Sequence, residues 1–197
     1  MRVNVWGKLC LGGGLLFSLY GYARPAIDFP DGQNCVAWKA KKTMFLFRKS
    51  EPVGLNCKIR IRVESPAPSH YQVTVNIPLG EFSSGEAERD LEVRKLLRED
   101  KQADLLFISD TLTGRDWPSY LEGSLPLVKG ALKVGGQNYP VTLQLQKRTG
   151  PAPLYGKIEV SLKSLEVAAP AVAGGLVAQV DDIVELWMQV YPESFPP

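Results

Sequence analysis

Leu127-Val-Lys-Gly-Ala-Leu-Lys-Val-Gly-Gly-Gln-Asn-Tyr-Pro-Val-Thr-Leu-Gln-Leu145 reads as a β-hairpin. Val128, Leu132 and Val134 share one face of its first strand, with Lys129 and Lys133 on the other. Tyr139, Val141, Leu143 and Leu145 share one face of its second strand, opposite Thr142, Gln144 and Gln146. Strict alternation marks a sheet with one apolar and one wet face. Gly135-Gly136-Gln137-Asn138 supplies the turn, because glycine and asparagine tolerate positive φ. Pro140 has no N–H to give a ladder, which puts it near a strand start or on an edge.

The same period recurs on both sides. Val36 to Phe47 is a first strand region, Ser50 to Gly54 a turn, and Cys57 to Val63 a strand with Cys57, Ile59, Ile61 and Val63 on one face. Ser65 to Ser69 is a loop, and Tyr71, Val73, Val75 and Ile77 alternate with polar residues. Ser83 to Arg98 changes to a helical period, with Ala87, Leu91, Val93, Leu96 and Leu97 on its greasy side. Ser83 and Glu86 match a capping box. Leu105 to Ser109 reads as a buried strand. Tyr155 to Leu162 and Asp182 to Val190 alternate again, and small residues from Ala168 to Gly175 make a crossing segment or a lid. The result is an all-β chain: one antiparallel β-barrel of about eight strands with one short helix. Closing a sheet removes its edges, and eight strands either fill with side chains or hold one small ligand.

Residues 1–23 have the make-up of a secretory signal. Arg2 and Lys8 give a positive start, Leu9 to Tyr22 is apolar or small, and Gly21-Tyr22-Ala23 suits a cleavage site. The run is shorter than the ~20 apolar residues of a spanning helix. The expected mature domain is 24–197, exported to the periplasm without a stable membrane anchor. The whole chain has 23 basic and 21 acidic residues. Removing Arg2 and Lys8 leaves 21 of each, so no basic field remains to attract nucleic acid or an anionic membrane. Two cysteines remain, Cys35 and Cys57. An even count in an exported chain reads as a disulfide, with two buried free thiols as the rival reading.

The catalytic inventory is thin. His70 is the only histidine, and it follows Pro68-Ser69 in a loop. No Gly-x-Ser-x-Gly elbow is present. Asp181-Asp182 reads as a turn rather than a metal site, the paired glycines lack phosphate-loop spacing, and Arg89-Asp90 reads as a surface charge pair. No enzymatic activity, cofactor or metal is expected. Trp38, Phe45, Phe47, Tyr71, Phe107, Tyr139 and Tyr155 fall in or beside strands and either line a pocket or fill the barrel.

In order along the chain stand Ile77-Pro-Leu79, Phe82-Ser-Ser-Gly85, Arg89-Asp90, Leu106-Phe107-Ile-Ser109, Gly130-x-Leu-x-Val-x-Gly136, Tyr139-Pro-Val-x-Leu143, Gly156 and Asp181-Asp-x-Val-x-Leu186. This ordered set resembles the YceI-like family of exported proteins. It departs from the family in lacking a histidine between Trp38 and Val63, and in carrying Leu96-Leu-Arg-Glu-Asp100 where Phe-Phe-Asp is usual. The resemblance implies a lipocalin-like barrel that holds an isoprenoid quinone or another long-chain apolar lipid, such as a polyprenol, without covalent chemistry. The wall residues it implies here are Val73, Val75, Phe107, Leu132, Val141, Leu143, Ile158, Val160 and Leu186. The alternative is an envelope interaction or assembly module whose barrel is filled by side chains. A homodimer stays open.

Overall fold

The computed structural model describes residues 27–44, 48–146, 151–168, 171–172 and 178–194. The leader 1–23, the aromatic pair Phe45 and Phe47, and most of the small-residue segment 168–175 lie outside them. The strands are β1 Cys35–Met44, β2 Arg48–Ser50, β3 Val53–Asn56, β4 Arg60–Ala67, β5 His70–Pro78, β6 Asp104–Ser109, β7 Leu112–Thr113, β8 Leu127–Val134, β9 Gln137–Leu145, β10 Leu154–Ser161, β11 Ala171–Val172 and β12 Ala178–Val190. The helices are α1 Ala87–Leu96 and α2 Trp117–Leu121.

All twelve strands belong to one sheet, ordered β2-β1-β12-β10-β9-β8-β6-β5-β4, with every pairing antiparallel. The all-β antiparallel architecture expected from the sequence is the one found. It differs in detail. Among the described residues there are twelve strands rather than about eight, because β2, β3, β7 and β11 are only two to four residues long and carry little periodicity. Val53 and Gly54, expected in a turn, lie in β3 on the edge of β1. Ser65 to Ala67, expected in a loop, extend β4, so that the turn narrows to Pro68-Ser69. A second helix, α2, starts at Trp117-Pro118, where proline is tolerated in the first turn.

The sheet is not closed by hydrogen bonds. One end of the seam is clasped instead. Leu55 and Ser83 exchange backbone bonds of 2.9 and 3.0 Å. The buried Asn56 donates from Nδ2 to the Pro78 carbonyl at 2.8 Å and accepts from the Lys58 N–H at 2.7 Å. This pairing also overturns the capping box. Ser83 is engaged with β3, the residue at the helix start is Glu86, and the Asp90 carboxylate takes the Ser84 N–H at 3.0 Å. Asp90 is therefore not paired with Arg89, whose guanidinium meets Glu86.

The β8–β9 hairpin has the register expected, with Leu132 opposite Tyr139 and Val134 opposite Gln137. Its turn is only Gly135-Gly136, with φ of +55° and +87°, the pair of positive angles that a two-residue turn matched to strand twist requires. Gln137 and Asn138 have joined the strand. Pro140 lies in the part of β9 beyond its two-residue pairing with β10, where no ladder bond is lost.

Two apolar clusters form. The main one lies on the inner face and contains Val36, Trp38, Val75, Phe107, Leu132, Leu143, Ile158 and Val190 among others. The second lies on the opposite face of β1. Ile27 and Phe29 cover Cys35 and Ala37 there, packed with Val53, Leu55, Tyr155 and Trp187. The segment read as an entry loop thus contributes a buried layer. Likewise Pro192, read as part of a loose tail, is buried in a short turn, whereas 195–197 lie outside the described residues.

Candidate functional site

Antiparallel order places the C-terminal parts of β8 and β10 beside the N-terminal part of β12. Leu132, Val134, Val160, Leu162, Val180, Val184 and Leu186 therefore meet at one end of the inner face. Trp38 and Ala40 from β1, Leu105 from β6, and Leu165 join them. The α1 helix crosses this end and turns Val93, Leu96 and Leu97 inward. Ala87 and Leu91, expected on the same greasy side, are exposed. Together these side chains bound a cavity of about 780 Å³. Its mouth is lined by Lys42, Ser50, Glu51, Pro52, Glu86, Glu88, Arg89 and Glu92. The arrangement is an apolar pocket with a charged rim, the usual form of a small-molecule site.

The opposite end is filled. Val75, Phe107, Leu112, Val128, Leu143, Leu154 and Ile158 are buried there in one cluster. Beyond them Tyr71 meets Trp117 of α2 with ring centroids 4.9 Å apart, and Tyr120 packs on the same core. Of the nine expected wall residues, Leu132, Val160 and Leu186 line the cavity. Val75, Phe107, Leu143 and Ile158 lie in the core without lining it, and Val73 and Val141 pack half-buried against that core. Alternation identifies which face each residue takes, but both halves of the interior share one face. Val134, Leu162 and Val184 carried the same alternation signal, Trp38 stood among the aromatic residues read as lining a pocket or filling the barrel, and all four belong to the cavity. The inward turn of α1 had no signal beyond its apolar residues.

Trp38 is buried with 6% exposure, and its indole crosses β3 at Gly54. A Cβ at Gly54 would lie 2.2 Å from Trp38 Nε1, so only glycine leaves the ring its place. Nε1 has no hydrogen-bond partner among the described residues.

Other polar groups are engaged in holding the sheet. Cys35 and Cys57 form a disulfide with an S–S distance of 2.03 Å, stapling the β1–β3 pair and excluding the free-thiol reading. His70 sits exposed at the β4–β5 turn, with Nδ1 2.8 Å from the Pro68 carbonyl. The Asp182 carboxylate accepts the Ser161 hydroxyl at 2.5 Å and the Lys163 N–H at 2.8 Å, tying β12 to the end of β10. Those two bonds, the Ser161 one first, hold its pKa below the ordinary aspartate value. Glu51 and Glu159 are held low in the same sense by Lys39 and Lys157, each chiefly through a direct hydrogen bond. Among the described residues no group of three or more His, Cys, Asp or Glu is placed to hold a metal ion. No described helix is long and apolar enough to cross a membrane.

No protein-family model matches the chain, and no curated protein matches it in sequence. Solved structures do. BcnA of Burkholderia cenocepacia superposes with a TM-score of 0.53 at 14% identity, over 79% of this chain and 94% of that one. A mutant of the CJ YceI protein gives 0.44 at 12% identity, over 70% and 81%. The fold is shared with BcnA. A polyisoprenoid-binding domain from Saccharophagus degradans, implicated in plant cell wall breakdown, gives 0.45 at 9% identity, over 79% and 94%. At 14% identity the likeness to BcnA is one of fold.

Proposed function

We propose that this protein is an exported, non-enzymatic carrier that holds an apolar isoprenoid-like lipid in the cavity between the sheet and α1. The observation that carries the reading is the cavity itself: about 780 Å³, walled by aliphatic side chains and Trp38, and open at a charged rim. A tail placed there gains ~0.8 kcal/mol for each CH₂ it removes from water. The head group stays at the rim, where Lys42, Ser50 and the glutamates can solvate it. No bond is made or broken in such a function. The ordered YceI-like motifs support an isoprenoid tail, whether that of a quinone or of a polyprenol. The signal-like leader and the disulfide support export to the periplasm, since disulfides persist in oxidising compartments.

The test is to express the protein with its leader, purify it, extract it with organic solvent and analyse the extract by mass spectrometry. One equivalent of an isoprenoid lipid is the expected result. An empty extract, and no uptake after incubation with quinones and polyprenols, would sink the carrier reading.

A further inference from the structure

The filled half of the interior has a consequence for which lipids fit. A tail entering at the rim runs inward past Leu186, Val160 and Leu132. Leu132 pairs with Phe107, and Phe107 pairs with Val75 on the next strand. Phe107 is 4% exposed, and Leu143 and Ile158 behind it are 5% and 6% exposed. Packed interiors leave few voids larger than a water molecule, so this layer is a floor. The space above it is finite. At roughly 30 Å³ for each group the size of a water or a methylene, about 780 Å³, the open mouth included, corresponds to about 25 chain atoms.

Resting on the lipid-carrier reading above, we propose that the cavity measures its ligand: it takes isoprenoid tails of up to about five units, with Phe107 as the stop. A tail of eight units leaves about three outside the rim, in water. Membrane-dissolved lipids expose this limit most sharply. A carbon that moves from bilayer to cavity exchanges one apolar medium for another, and affinity barely changes with length. A carbon that moves from bilayer to water loses roughly fourfold.

The experiment incubates the purified protein with phosphatidylcholine vesicles loaded with an equimolar series of all-trans prenols of two to nine units. The protein is then recovered and its bound prenols are quantified by mass spectrometry. The bound-to-vesicle ratio is expected to stay within about threefold up to about five units and to fall at least tenfold for each further unit. A flat profile to nine units overturns the length limit and leaves the carrier reading standing. Recovery of no prenol at any length overturns both. Phe107→Ala lowers the floor and is expected to move the fall to a longer prenol. Ile158→Ala, a smaller deletion in the same layer, serves if the first variant does not fold. A folded variant with an unmoved fall overturns the assignment of the stop.

Discussion

Filling the cavity from its own wall separates the carrier reading from a merely structural hollow. Ala40 lies on β1 opposite Val184, is 8% exposed and lines the cavity. Ala40→Phe adds six carbons to that wall. At roughly 30 Å³ each they occupy about 180 Å³, close to a quarter of the cavity. Phenylalanine is well suited to a strand, and the ring enters space that no side chain fills, so stability is expected to hold or to rise. A five-unit prenol loses the room that about six of its carbons used. At ~0.8 kcal/mol each the ceiling on the loss is about 5 kcal/mol. With half of that recovered by a shifted tail, affinity still falls close to a hundredfold. Ala40→Leu adds three carbons, and its effect should be intermediate. Titration calorimetry with the prenol gives the affinity, and urea unfolding gives the stability. If a folded Ala40→Phe protein binds the five-unit prenol within threefold of the parent, the cavity is not where the tail sits.

Three further outcomes follow from the scaffold. Replacing both Cys35 and Cys57 by serine opens a loop with a sequence separation of 22 residues. The expected loss is ~3 kcal/mol in urea unfolding, and equal stability with and without reductant would count against it. Gly54→Ala drives a methyl group into the Trp38 indole and should cost ~1–3 kcal/mol. Combining it with Trp38→Ala should remove most of that penalty, and simple additivity in the double-mutant cycle would contradict the contact. Asp182 has a folded pKa below its unfolded value, so its stabilising contribution is complete above pH ~4 and is lost as pH falls through the folded value. Asp182→Asn should therefore narrow the gap to the parent in acid, and a gap independent of pH would refute the linkage.

The hairpin around Gly135-Gly136 was legible because both of its requirements are local. Alternation sets the faces, and two consecutive positive φ angles call for glycine. The strands at Tyr71–Ile77, Leu105–Ser109 and Tyr155–Leu162 were legible for the first reason. The short strands β2, β3, β7 and β11 were not, since two to four residues show no period and take their conformation from the neighbour they pair with. Ser83 shows the same competition at one residue. Its side chain fits a helix cap, yet its backbone is worth more as the partner of Leu55.

By itself the sequence determined the all-β class, the inner face of the alternating strands and the glycine turn, because period and backbone freedom belong to a segment alone. Only the tertiary structure decided that the inner face divides into a filled half and a cavity, and that Leu132 bounds the cavity while Phe107 beside it does not. Periodicity says that two side chains look the same way. How far apart the opposing wall stands depends on strand order, on the open seam and on where α1 and α2 come to rest, and these are properties of the whole chain.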